Sequence, residues 1–108
     1  MGLRDKVVNN LKKVFISQPM KGREKIDIIN ERATAIAEIE KRFGESVEEI
    51  KSFLPENKNG IPLECLGKSI VLMAHADAVY FCKGWENARG CRIEHECAIQ
   101  YGLEIIEK

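Results

Sequence analysis

The run from Gly84 to Gly102, GWENARGCRIEHECAIQYG, concentrates glutamate, histidine, cysteine and arginine side chains in one short stretch. It follows DAVYF, which reads as a buried strand. It opens with Gly84 and Asn87 and continues as a helix. At helical periodicity Cys91, Glu94, Ala98 and Tyr101 share one face, and Arg92, Glu96 and Gln100 the opposite one. Glu94 therefore points inward from the first turns of a helix, just past a strand end. A carboxylate is costly to bury without a purpose. A purely structural reading stands beside it: glutamate is favoured in the first turns of helices for dipole reasons, and Arg89 or Arg92 can pair with Glu94.

A second polar cluster follows the first expected strand. KVFIS, residues 13–17, carries the continuous apolar run Val14, Phe15, Ile16 of a strand covered on both faces. SQPMKGR, Ser17 to Arg23, then offers hydroxyl, amide, ammonium and guanidinium groups, with Pro19 and Gly22 stopping regular structure. Open α/β sheets bind ligands outside the carboxyl ends of their strands, where this loop falls. It is neither a Walker A loop nor GxGxxG, and a plain connection is the alternative.

The elements that must position these groups follow in order. Residues 3–11 place Leu3, Val7 and Leu11 four apart, a weak amphipathic extension. Residues 24–43 read as a helix with Ile26, Ile29, Ala33, Ile36, Ala37 and Phe43 inward. Glu24, Lys25, Glu31, Arg32, Glu38 and Lys41 lie outward, and Gly44 is the stop. SVEEIKSFL, residues 46–54, suits a helix or an edge strand, and we read a strand. PENKNG is a loop. Residues 62–76 read as a helix with Leu63, Leu66, Ile70, Met73 and Ala74 on its apolar face; His75 near its end is a dipole partner or solvated. Asp77 starts the strand AVYFC. After the Glu94 helix, Gly102 is the stop before a last strand, LEIIE. Strand and helix alternate throughout, which predicts an α/β, three-layer, flavodoxin- or Rossmann-like domain. Its sheet is parallel, of four to five strands, with right-handed crossovers. The domain spans 12–108, with 1–11 as an N-terminal extension.

The chain has 108 residues, 44% of them apolar, and seventeen basic residues balance seventeen acidic ones. Zero formal charge gives no electrostatic footprint for a nucleic-acid polymer or an anionic membrane. No apolar run approaches the ~20 residues of a membrane span, and MGLRDKVVNNLKK lacks the apolar core of a signal peptide. Cys65, Cys82, Cys91 and Cys97 form no CxxC pair. The Cys91, His95 and Cys97 spacing matches no common zinc pattern, so buried thiols in a reducing cytoplasm are expected and no metal.

Three stretches together, VFISQPMKG, LGKSIVLMAHADAVYF and RGCRIEHECAIQYG, resemble the nucleoside 2-deoxyribosyltransferase-like superfamily. The likeness is strongest to a small, often phage-associated branch carrying the SQPMKG and GWENARGCRIEHECA patterns, and it covers residues 12–108. The resemblance implies cleavage or transfer at the N-glycosidic bond of a (deoxy)nucleoside or its monophosphate, without a cofactor. It implies attack on the anomeric carbon by a glutamate in a Glu-x-x-x-Ala pattern, here Glu94 to Ala98. Glu96 lies about 200° away on the wheel and faces outward. It further implies a sugar or phosphate loop at Ser17, Gln18, Met20, Lys21 and Gly22. Asn87, Arg89 and Gly90 would face that loop at a helix N-terminus suited to an anion, and the assembly would be a homo-oligomer. Trp85 is placed to stack on a base or to serve as a lid or subunit contact. Two positions depart from the pattern. Ser69 stands where an aspartate is expected eight residues before Asp77, and Val14 or Phe15 stands where a first-strand tyrosine is expected. The proton for a leaving base would then come from His95, Glu86 or water. A nucleotide-binding module without turnover, and a structural protein with an ion-paired Glu94, are the rival classes. A flavin site is disfavoured because the first loop lacks a run of Ser, Thr and Gly.

Overall fold

The computed structural model describes residues 11–53 and 60–107. The amphipathic extension, apart from Leu11, and most of the PENKNG loop lie outside the described residues. Four strands, β1 (Lys12–Ser17), β2 (Val47–Glu49), β3 (Ala78–Phe81) and β4 (Glu104–Glu107), form one all-parallel sheet in the order β2-β1-β3-β4. Three helices, α1 (Lys25–Phe43), α2 (Pro62–Met73) and α3 (Arg89–Gln100), make the crossovers, and a 3-10 turn (Trp85–Asn87) precedes α3. This is the expected α/β, flavodoxin- or Rossmann-like layout, with four strands.

The middle strands explain themselves. Val14, Phe15 and Ile16 of β1 and Ala78, Val79, Tyr80 and Phe81 of β3 are all buried, because both sheet faces are covered. Alternation divides them. Val14, Ile16, Ala78 and Tyr80 pack with Ala35 and Ile39 of α1. Phe15, Val79 and Phe81 pack with Met73 of α2 and Ala98 of α3. Each fully buried Phe or Ile side chain contributes about 1.5–3 kcal/mol relative to exposure. At the amino ends, Asp77 Oδ2 accepts from the Lys13 amide at 2.8 Å and the Asp77 amide donates to the Lys13 carbonyl at 2.8 Å. Asp77 thus locks β1 to β3 at the edge opposite the site.

Three readings of the helices are corrected. The buried stripe of α1 is Ile28, Arg32, Ala35 and Ile39, while Ile26 and Ile29 are exposed and so are Ala33 and Ala37. The 4-3-4 spacing of the true stripe was present in the sequence, but Arg32 within it made it read as an outer face. On α2 only Met73 is buried; Leu63 is 75% exposed and Ala74 is exposed. Tyr101 is 84% exposed because α3 ends just before it. There Gly102 takes φ 70° and the Leu103 amide donates to the Ala98 carbonyl at 3.0 Å, which turns the chain into β4. The strand expected over 46–54 covers only Val47–Glu49. The Ile50 amide still reaches the Val14 carbonyl at 2.9 Å before the chain leaves the sheet.

Candidate functional site

The connection from β1 runs to β2 on one side, and that from β3 runs to β4 on the other. The carboxyl ends of β1 and β3 are therefore the switch point at which α/β sheets open a crevice. Ser17 ends β1, Phe81 ends β3, and the Cys82 amide continues the ladder to the Ser17 carbonyl at 2.9 Å. The SQPMKGR loop leaves from Ser17, turning at Gly22 (φ 75°) with the Arg23 amide on the Met20 carbonyl at 3.1 Å. The loop after β3 turns at Gly84 (φ 90°), a conformation that L side chains rarely adopt, and passes beside the Pro19 ring.

Glu94 lies at the meeting of these parts. It is 7% exposed, and its Oε1 accepts a hydrogen bond from Ser17 Oγ at 2.6 Å. Its helix brings it there because Cys91, Glu94 and Ala98 form the buried face of α3. Ala98, fully buried against β3, allows the close approach. Among the described residues no cationic side chain pairs with Glu94. Arg92 instead donates from Nη1 to the Glu86 carbonyl at 3.1 Å, and Arg89 is exposed. Burial therefore raises the Glu94 carboxyl above the usual carboxylate range, with the Ser17 hydroxyl pulling partly the other way. Ser17 engages Oε1, and among the described residues no hydrogen bond is made to Oε2. Glu96, two residues on, is exposed and holds Gln100 Nε2 at 2.7 Å.

Two buried thiols lie near the ends of these elements. Cys91 is one turn before Glu94 on the same face, and burial pushes its thiol up to about 11. Burial likewise pushes Cys82, at the end of β3, up to about 12. Both stay neutral at physiological pH.

The other expected residues fall into two groups. Met20, Lys21, Gly22 and Asn87 are exposed on the two connections at the carboxyl edge of the sheet, and Arg89 is exposed and Gly90 half-buried in the first turn of α3. That turn carries no capping side chain and no acidic residue. Gln18, by contrast, is 5% exposed and directed at α1. Its Nε2 donates to Glu31 Oε1 at 2.8 Å and the Ile28 carbonyl at 3.3 Å, and its Oε1 accepts from Arg32 Nη1 at 2.9 Å. Its amide is occupied at both ends by the protein. Ser69 is half-buried midway along α2. Trp85 stacks on His95, ring centroids 3.9 Å apart and 13° between planes, with Phe81 edge-on to His95 at 4.7 Å. His95 Nε2 lies 3.3 Å from Glu107 Oε2. One face of the indole is thus taken by the protein, and His95 is engaged with Trp85 and Glu107.

Sequence reasoning missed Glu31 and Arg32. Arg32 is 5% exposed; besides Gln18 it reaches Glu49 Oε2 at 2.7 Å, Ser52 Oγ at 2.9 Å and the Ile50 carbonyl at 3.4 Å. Glu31 also accepts from Arg23 Nη1 at 2.7 Å, and the same nitrogen donates to the Pro19 carbonyl at 2.8 Å. Among the described residues every buried side-chain nitrogen and oxygen has a partner, as a closed polar network requires. The signal that could have found it is the position of Arg32 in register with Ile28, Ala35 and Ile39.

No curated protein and no solved structure matches the chain. Residues 12–107, all but a short segment at the beginning and the last residue, match the family described as Domain of unknown function (DUF4406), and the chain belongs to that family.

Proposed function

We propose that this protein cleaves or transfers the N-glycosidic bond of a (deoxy)nucleoside or nucleoside monophosphate, with Glu94 as nucleophile. The observation that carries the reading is a buried carboxyl at the β1/β3 switch point, held through one oxygen by Ser17. Heterolysis of the C1′–N bond sends the electron pair to the base and leaves an oxocarbenium-like carbon. Oε2 of the ionised Glu94 closes on that carbon to form a sugar ester. Water or a second base then displaces it and restores the carboxylate. The departing base takes one proton. Position 69 is serine, and His95 is engaged by Trp85 and Glu107, so water or the exposed Glu86 is the donor we favour. Lys21, Arg89 and the uncapped first turn of α3 would meet the sugar or a 5′-phosphate. Trp85, half-buried, would meet the base through the indole face that His95 does not cover.

The same serine and the same engaged histidine favour a second reading, a nucleotide-binding module without turnover. Chromatographic detection of free base separates the two. Wild type and Glu94→Ala would be incubated with deoxynucleosides, their monophosphates and the ribo forms. Base released by wild type and lost on the order of a thousandfold in the variant supports the enzyme. Ligand binding without release supports the module.

The cytoplasm is the compartment we assign, since four free thiols suit a reducing environment. No described helix is long and apolar enough to cross a membrane. A homo-oligomer is the assembly we expect. Ile61, Leu63 and Val71 on and before α2 are 60%, 75% and 63% exposed, an apolar surface that a second copy would cover. A monomeric mass by light scattering would remove this expectation.

A further inference from the structure

We propose that Arg32 is a positioning residue for Glu94, acting across the sheet through Gln18 and Ser17. These last two are consecutive, so strand alternation sends their side chains to opposite faces. Ser17 Oγ goes to Glu94 on α3 at 2.6 Å, and Gln18 Oε1 goes to Arg32 on α1 at 2.9 Å. The end of β1 is therefore held from both sides by side chains of two different helices. Both amide protons of Gln18 and one of the two acceptor positions of its carbonyl are used on α1. Its contribution is the placement of its neighbour. Arg32 in turn is fixed by Glu49, Ser52 and the Ile50 carbonyl, groups on the strand that borders β1 and on the chain leaving it. The guanidinium fork suits this task, since its planar geometry fixes several acceptors at once. Arg23 and Glu31 brace the far end of the same loop.

The assignment of a functional role rests on the reading of Glu94 as the reacting group, whereas the mechanical coupling can be tested without it. Among the described residues the groups acting on Glu94 are Ser17 from β1 and Cys91 from its own helix, with Glu31 of α1 acting on Cys91 from further off. The thiol stays neutral through a carboxyl titration, so the Glu94 signal can be read alone. Carboxyl 13C shifts of Glu94 would be followed against pH by NMR in wild type, Arg32→Lys, Gln18→Ala and the double variant. Amide hydrogen exchange would be followed in the same samples.

The expected result is exchange about tenfold faster or more across Ser17, Gln18, Met20, Lys21 and Gly22, with Ile105 and Ile106 of β4 unchanged. The Glu94 titration should move upward in Gln18→Ala, because the Ser17 hydrogen bond that favours the carboxylate is loosened. Arg32→Lys should match it, and the double variant should go no further than either single one, as expected for residues acting in series. If wild type releases base, kcat should fall in these variants while KM changes little. If it releases none, the enzyme reading fails and the titration still decides the coupling. An unmoved Glu94 titration in folded Gln18→Ala overturns the proposal, and so does an additive double variant. Should Arg32→Lys not fold, Gln18→Ala decides alone.

Discussion

Ser17 Oγ donates to Glu94 Oε1 across 2.6 Å, joining the last residue of β1 to the second turn of α3. Among the described residues the hydroxyl is the hydrogen-bond partner of a carboxyl whose burial otherwise disfavours its charge. It orients one oxygen and offsets part of the desolvation.

Ser17→Ala should therefore weaken the site without unfolding the protein. Losing one hydrogen bond to a charged acceptor costs about 1.5–3 kcal/mol, which corresponds to a fall of roughly ten- to a hundredfold in base release or ligand affinity. The acid limb of any pH–activity profile should move to higher pH, because removing the hydroxyl leaves only the effect that raises Glu94. Steady-state kinetics or calorimetric titration across pH 4–8 checks both.

Glu94→Gln should stabilise the fold. The folded-state pKa is raised above that of the unfolded chain. Glu94 therefore contributes its full stability below the unfolded value, and that contribution is lost as pH rises through the folded value. Glutamine carries no charge to desolvate. The advantage of the variant should be small in acid, grow as pH rises through the carboxylate range and level off once the folded-state carboxyl has ionised. Urea midpoints at several pH values measure it. A variant that is less stable at every pH would contradict the account.

Ala98→Leu should damage both stability and site. Ala98 is fully buried where α3 meets β3, and it lies one turn beyond Glu94 on the same face. A larger side chain there overpacks the core at about 1–3 kcal/mol and lifts Glu94 from Ser17. Thermal unfolding should show the loss. The Glu94 carboxyl, read by NMR, should no longer respond to Ser17→Ala in that background.

The thiols should separate by reactivity. Cys65 is exposed, whereas Cys82 and Cys91 are buried and pushed up to about 12 and about 11. Alkylation at pH 8 followed by mass spectrometry should label Cys65 first and the two buried positions only after denaturant is added. Early labelling of Cys91 in the folded protein would show that the site opens.

Much of this molecule was legible in its sequence. The apolar runs Val14–Ile16 and Ala78–Phe81, separated by helical patterns, dictate buried parallel strands, since a strand covered on both faces has no polar side to alternate with. The inward face of α3, with Glu94 between Cys91 and Ala98, followed from helical periodicity alone. Gly44 and Gly102, both at positive φ, mark helix ends that any reading of stop signals finds.

What periodicity could not supply was the partner of each polar group. Ser17 and Glu94 are distant in the chain, so only the packing of α3 on the sheet brings them together. The burial of Arg32 depends on Gln18, Glu49 and Ser52 arriving from three other segments. A guanidinium reads as a surface group until those acceptors are in place, because its cost of burial is offset by contacts that do not exist in the unfolded chain. The sequence determined which residues form strands and helices. The tertiary structure decided which charges are buried, and with that where the chemistry can occur.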